Sequence, residues 1–131
     1  LLACPADHAL AERTSIAPRA LMDEKLLLLQ DGPCLRDHAL AACGLSGALT
    51  AEEFAATSLH TLVHMAASGL GVTLLPRLAV AGGVLAGTGL VTRPLEGGMS
   101  RRIGLAWRAR SPRAEEFRAL APAIAAVMQE L

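Results

Sequence analysis

Short apolar runs alternate with helical apolar stripes along the whole of this sequence. Residues 26–29 are all leucine, and residues 71–75 are apolar except for Thr73. Each run is closed by a turn or a proline, which predicts buried strands. Between strands lie helical patterns, such as the one that Ser58 opens as an N-cap and Gly69 ends. Strands and helices that alternate at these spacings predict an α/β fold, with a mostly parallel sheet flanked by helices.

The other predicted elements complete this pattern. They are a strand over 1–4, a short helix over 18–23, a helix over 35–43, a short strand over 53–57, a glycine-rich loop over 81–89, strands over 90–95 and 101–108, and a long helix over 111–131 that Pro122 kinks or breaks. Ligands of such sheets bind beyond the carboxyl ends of strands. The loop from Gln30 to Cys34 follows a strand end and is therefore the first candidate site.

Composition limits the classes of protein. With 53% hydrophobic residues the chain can bury a core, as one domain or as one lobe of a larger one. Twelve basic and twelve acidic residues leave no basic surface for DNA, and no apolar run approaches the roughly 18 residues of a membrane span. Three cysteines are too few for a secreted disulfide scaffold, so we expect a cytoplasmic protein without a membrane partner. The sequence does not begin with Met, and we expect a partial chain.

Cys34 stands immediately before a predicted helix, where free backbone amides and the helix dipole favour a thiolate. Arg36 and His38 would add positive potential, whereas Asp37 would oppose it. The opposite interpretation is that cysteine serves as a small buried hydrophobe, and this is the role expected of Cys4 within its apolar strand.

Cys34 immediately precedes the predicted helix over 35–43, and Cys43 is its last residue. Nine helical residues separate two positions by about 13 Å along the axis, whereas a disulfide needs Cα atoms within about 7 Å. Two hypotheses follow: the cysteines never pair, or pairing unwinds the helix and turns a covalent bond into a change of shape.

Residues 26–43 read LLLLQDGPCLRDHALAAC and closely resemble the sensing segment of OxyR-type hydrogen peroxide sensors, which belong to the LysR-type transcriptional regulators. Residues 54–62, 69–76 and 101–108 resemble elements shared by most LysR-type effector domains. The resemblance implies a periplasmic-binding-protein-like (type 2) fold. It also implies that residues 1–131 are the C-terminal part of the regulatory domain, mainly the second lobe plus the return segment of the first, without the DNA-binding helix-turn-helix.

The same resemblance implies the chemistry. Cys34 would attack hydrogen peroxide and Cys43 would resolve the sulfenic acid to an intramolecular disulfide that changes DNA binding. Arg101 would stabilise the departing hydroxide, and Asp37 and His38 complete the expected ligand-binding set. Pro33 stands where the family usually has a histidine, so this position has no hydrogen-bond donor.

The implied protein is a regulator and not a turnover enzyme. Its partners would be hydrogen peroxide, further copies in a homodimer or homotetramer, promoter DNA through the absent N-terminal domain, and RNA polymerase as a further candidate. No cofactor is expected. His60 and His64 lie four residues apart, but no third ligand stands at a recognisable spacing, so we expect a helix face there and no metal site.

Two other functions remain open on the sequence. One is a LysR-type regulator that binds a small organic effector without redox switching, in which Cys43 would be incidental. The other is a solute-binding protein of the same two-lobed architecture or a doubly wound enzyme. The absence of paired catalytic carboxylates, a nucleophile elbow or a phosphate-binding glycine loop from the sequence argues against an enzyme.

Overall fold

The computed structural model describes residues 1–29, 55–97, 100 and 103–129. It divides into two compact units, Leu1–Met99 and Ser100–Leu131. Each unit is described below by itself. Among the described residues, none of the helices has the length and apolar character that crossing a membrane requires.

The first unit is built on a five-stranded sheet in the order β3-β2-β4-β1-β5. Its strands are β1 (Leu2–Pro5), β2 (Leu26–Leu29), β3 (Ala55–Ala56), β4 (Val72–Leu74) and β5 (Leu90–Arg93). β2 pairs in parallel with β3 and β4, whereas β1 lies antiparallel between β4 and β5. Four strands therefore run in one direction and β1 alone runs against them, which confirms a mostly parallel α/β sheet.

Helix α1 (Leu59–Ala67) lies at the predicted position. The Ser58 hydroxyl accepts a hydrogen bond from the backbone amide of Thr61 at 3.1 Å, so the predicted N-cap is confirmed. Gly69, at φ +76°, follows the helix end. The apolar stripe of α1 buries Leu62, Val63 and Ala66 against the sheet.

Three shorter helices lie in the described part of the first unit. Two are 3-10 helices, Ala9–Glu12 and Pro18–Leu21, and the second lies within the predicted helix over 18–23. The third, α2 (Arg77–Ala81), was not predicted because five residues are too few to show a helical period, and Pro76 was interpreted only as the end of a strand. Pro76 is the residue that precedes the first turn of α2.

Apolar side chains cover both faces of the sheet. Leu26 and Leu28 lie on one face with the 3-10 helices, and Leu27 and Leu29 lie on the other with α1. All four are buried, as expected for a strand inside a parallel sheet. The one buried polar side chain among the described residues, Thr73, donates its hydroxyl to the Leu27 carbonyl oxygen at 3.0 Å.

The second unit contains helix α3 (Ala114–Gln129), which starts three residues later than predicted and continues through Pro122 without a break. The strand predicted over 101–108 is wrong for residues 103–108, which are irregular. Alternating side chains predict a strand, but a strand also needs a neighbour to pair with, and residues 103–108 have none in the described part of the chain. Trp107 and Phe117 are in contact, with ring centroids 5.8 Å apart.

Candidate functional site

The site predicted from the sequence begins where β2 ends. Because β2, β3, β4 and β5 run in the same direction, their carboxyl ends lie at one edge of the sheet. This is the edge at which open α/β sheets bind ligands. β2 ends at Leu29, and Cys34 follows five residues later in the sequence.

The predicted site residues lie outside the described residues. Cys34, Asp37, His38 and Cys43 fall in residues 30–54, together with the predicted helix over 35–43, and Arg101 falls in residues 101–102. The roles assigned to these side chains therefore remain predictions. The structure does describe the strands on either side of residues 30–54, which are β2 and β3.

The two ends of residues 30–54 are anchored side by side. Leu28 is paired with Ala55 and Leu29 with Ala56 in the parallel β2–β3 ladder. Neighbouring strands are spaced by about 4.8 Å. β2 thus ends at Leu29, and the strand beside it begins at Ala55. A change of conformation within residues 30–54 need not alter the distance between these two anchors.

Buried residues lie in both anchoring strands, Leu29 in β2 and Ala56 in β3. β2 lies inside the sheet between β3 and β4, and the Thr73 hydroxyl bonds its Leu27 carbonyl. β3 is the edge strand, but it is followed directly by α1, whose apolar face lies on the sheet. The sequence predicted a strand over 53–57 but did not show that it pairs with β2. No signal in a single sequence states which strands are neighbours.

The third cysteine lies away from this edge. Cys4 is free and completely buried, as its predicted structural role requires. Leu2 is opposite Leu74 and β1 is antiparallel to β4, so Cys4 lies at the level of Val72, the first residue of β4. Val72 is in turn paired with Leu26, the first residue of β2. Two strand spacings and about 10 Å along the sheet therefore separate Cys4 from Leu29.

Burial raises the pKa of the Cys4 thiol, with a smaller lowering effect of Arg93 and a smaller raising effect of Glu24. A buried thiol with a raised pKa is a poor nucleophile. The complete burial and the raised pKa of Cys4 both argue against this thiol as a peroxide-reactive group.

This raised pKa predicts a loss of stability at alkaline pH. Below the ordinary thiol pKa of about 8.5, both the folded and the unfolded state hold the proton. Above it the unfolded thiol ionises first, so the free energy of unfolding falls as pH rises. Between about pH 8 and 10, we expect the free energy of unfolding to fall less in Cys4→Ala than in the parent protein. Urea unfolding of both proteins measures this difference. If the two stability curves stay parallel through that range, the Cys4 thiol has no raised pKa.

The side chains of His8 and Arg93 form polar contacts with the first 3-10 helix, Ala9–Glu12. His8 Nδ1 accepts from the Leu10 amide at 3.2 Å, and its Nε2 lies 3.4 Å from a carboxylate oxygen of Glu24. Arg93 donates to the carbonyl oxygens of Thr92, at 2.7 Å, and of Ala11. Three of these four contacts satisfy backbone groups, and the fourth joins the side chains of His8 and Glu24. No group of three metal-ligating side chains occurs in the described parts of the chain.

Comparisons with known proteins agree with this arrangement. The sequence model for the LysR substrate binding domain matches residues 1–129. A "Probable hydrogen peroxide-inducible genes activator" of Streptomyces viridosporus is 42% identical over 138 residues, which cover 100% of this chain and 43% of that protein. The chain thus spans about two fifths of the length of the curated relatives that it matches first.

Two solved structures represent two redox states of a similar protein. The crystal structure of the reduced form of OxyR is 43% identical with a TM-score of 0.79, over 98% of this chain and 59% of that one. The crystal structure of the oxidised form of OxyR is 42% identical with a TM-score of 0.72, over 98% of this chain and 61% of that one. The fold is therefore compatible with both states of that protein.

Proposed function

Because the chain belongs to the LysR substrate binding domain family, we propose that it is the regulatory part of a transcription regulator that senses hydrogen peroxide through Cys34 and Cys43. The observation that carries the proposal is the anchoring of residues 30–54 between paired strands, since both cysteines lie in that one segment. The similarity to a peroxide-inducible gene activator and to reduced and oxidised OxyR supports the same function.

In the proposed chemistry the Cys34 thiolate attacks one oxygen of hydrogen peroxide. The O–O bond breaks, hydroxide leaves, and Cys34 becomes a sulfenic acid. The Cys43 thiol then attacks the Cys34 sulfur, the S–O bond breaks, and water leaves as the disulfide forms. The two thiols supply the two electrons that reduce the peroxide. The protein is oxidised once per event and acts as a regulator and not as a turnover enzyme.

The departing hydroxide requires a positive group or a hydrogen-bond donor. We assign this role to Arg101, with Asp37 and His38 as further ligand-binding side chains, on the resemblance of their segments to the OxyR family. Pro33 precedes the reactive cysteine and has neither an amide hydrogen nor a polar side chain. Any proton donated close to Cys34 must therefore come from another residue, and His38 is our candidate.

The proposed switch is local. Residues 35–43, if helical, hold the two cysteines about 13 Å apart, which exceeds the roughly 7 Å that a disulfide spans. Disulfide formation would then require the segment between them to rearrange. The paired strands β2, which ends at Leu29, and β3, which begins at Ala55, would stay in place while the segment between them changes shape.

The wider organisation follows from the family. We propose that residues 1–131 are the C-terminal part of the regulatory domain, mainly the second lobe plus the return segment of the first. Exposed apolar residues of the second unit support this, because a first lobe would cover them; they are Ile103, Leu105, Leu120, Ile124, Val127 and Met128. Promoter DNA would be bound through an N-terminal domain by a cytoplasmic homodimer or homotetramer, with RNA polymerase as a further partner.

The test is disulfide mapping on the reduced full-length protein after one equivalent of hydrogen peroxide for seconds to minutes. We expect a Cys34–Cys43 linkage that dithiothreitol reverses, with Cys4 still a free thiol, measured by mass spectrometry of alkylated peptides. Three thiols that stay free would overturn the proposal and would favour a LysR-type regulator that binds a small organic effector.

A further inference from the structure

Strand β5 forms one edge of the described sheet, so one side of its backbone points away from β1. Leu1 and Leu75 exchange two backbone hydrogen bonds, at 2.9 and 2.8 Å, so the backbone groups of Leu1 point toward β4. Successive residues of a strand point these groups to opposite sides. Those of Leu2 therefore point to β5, where Leu2 forms a hydrogen-bonded pair with Arg93.

By the same alternation, the backbone groups of Leu90 and Thr92 point outward from the sheet. Side chains of neighbouring residues already bond two of these four groups. The Leu90 amide donates to the Thr88 hydroxyl at 3.3 Å, and the Thr92 carbonyl oxygen accepts from Arg93 Nη1 at 2.7 Å. In the described part of the chain this leaves one acceptor, the Leu90 carbonyl, and one donor, the Thr92 amide.

Beyond Arg93, another segment of the chain covers the outward side. The Ile16 amide donates to the Pro94 carbonyl oxygen at 2.9 Å, and the Glu96 amide donates to the Ile16 carbonyl oxygen at 2.8 Å. Pro94 itself has no amide hydrogen. A further strand laid along β5 would thus find two available groups, enough for a single bridge, whereas stable pairing needs a ladder of several bonds.

We infer that Arg93 prevents the β5 edge from pairing with the β5 edge of a second copy of this chain. An exposed edge strand is a template for pairing with another chain, and two identical edges are self-complementary about a two-fold axis. Arg93 occupies the carbonyl in the middle of the outward side. Its Nη2 also donates to the Ala11 carbonyl oxygen, and this second bond holds the guanidinium beside Thr92.

Arg93→Leu should open this edge, because leucine donates no hydrogen bond to the Thr92 carbonyl. Sedimentation velocity of the full-length protein over a series of concentrations measures the effect. We expect the weight-average mass of Arg93→Leu to rise with concentration to about twice that of the parent, since identical edges pair two by two. A mass equal to that of the parent at every concentration would overturn the inference.

Thr92→Pro, added to Arg93→Leu, separates edge pairing from aggregation of unfolded chains. Proline removes the outward amide that an added strand needs and takes no hydrogen bond from the β1–β5 ladder. The double variant should therefore return to the mass of the parent. Association that persists after Thr92→Pro would not arise from the edge and would refute the role of Arg93.

Arg13→Leu is the matched control for charge and apolar character. It removes the same charge and adds the same side chain at an exposed position of the first unit, away from the outward groups of β5. This variant should keep the mass of the parent. Equal association of Arg13→Leu and Arg93→Leu would also overturn the inference. None of these outcomes depends on peroxide chemistry, so they leave the proposed function untouched.

Discussion

Cys43→Ser in the full-length protein is expected to stop the reaction with hydrogen peroxide at a sulfenic acid on Cys34, and Cys34→Ser is expected to abolish the reaction. Without Cys43, no neighbouring thiol can displace the sulfenic oxygen, so the intermediate persists. Without Cys34, the thiol assigned as the nucleophile is gone. Dimedone labelling followed by peptide mass spectrometry measures the first outcome, and the same mapping of disulfides measures the second.

Cys4→Ala is the matched control for both variants, because it removes a thiol without touching the proposed pair. Cys4 is completely buried and is level with Leu26 at the far end of β2 from the site. Disulfide formation between Cys34 and Cys43 should therefore be unchanged in this variant. The assignment is wrong if Cys43→Ser gives no dimedone adduct on Cys34, or if Cys34→Ser still consumes peroxide as fast as the parent.

Gly71→Ala is expected to destabilise the first unit by about 3 kcal/mol, the upper part of the usual range for an overfilled core. A Cβ at this position would lie 2.3 Å from the Lys25 carbonyl oxygen and 3.2 Å from Leu27 Cγ. The same carbonyl accepts a hydrogen bond from the Val72 amide at 2.9 Å. The methyl group would therefore separate β2 from β4 at the point where their ladder begins.

Urea unfolding of the full-length protein measures this effect as a lower midpoint for the first unit. Gly104→Ala is the matched control, because a Cβ at Gly104 would meet nothing within 4 Å among the residues that the structure describes. That variant should change the free energy of unfolding by no more than about 0.5 kcal/mol. A Gly71→Ala protein as stable as the parent would show that β2 and β4 do not approach as closely as the structure has them.

The candidate site illustrates what a motif contributes. The segment from Asp31 to Cys43 indicated the family and predicted which cysteines react, although nothing in it states where its ends lie. The structure supplies that information, because the β2–β3 ladder pairs Leu28 with Ala55. Pairing between strands depends on contacts between distant residues, and the residues of one strand do not encode which strand will lie beside it.

The sequence predicted those strands and helices whose signals lie in residues that are close together in the chain. The leucines of 26–29 indicated a buried strand, and Ser58 and Gly69 marked both limits of α1, since caps act over one helical turn. The direction of β1 was decided only in the tertiary structure, because a four-residue apolar run has the same pattern in either direction. The same holds for residues 103–108, whose alternation predicted a strand, because a strand exists only when another segment supplies its hydrogen bonds.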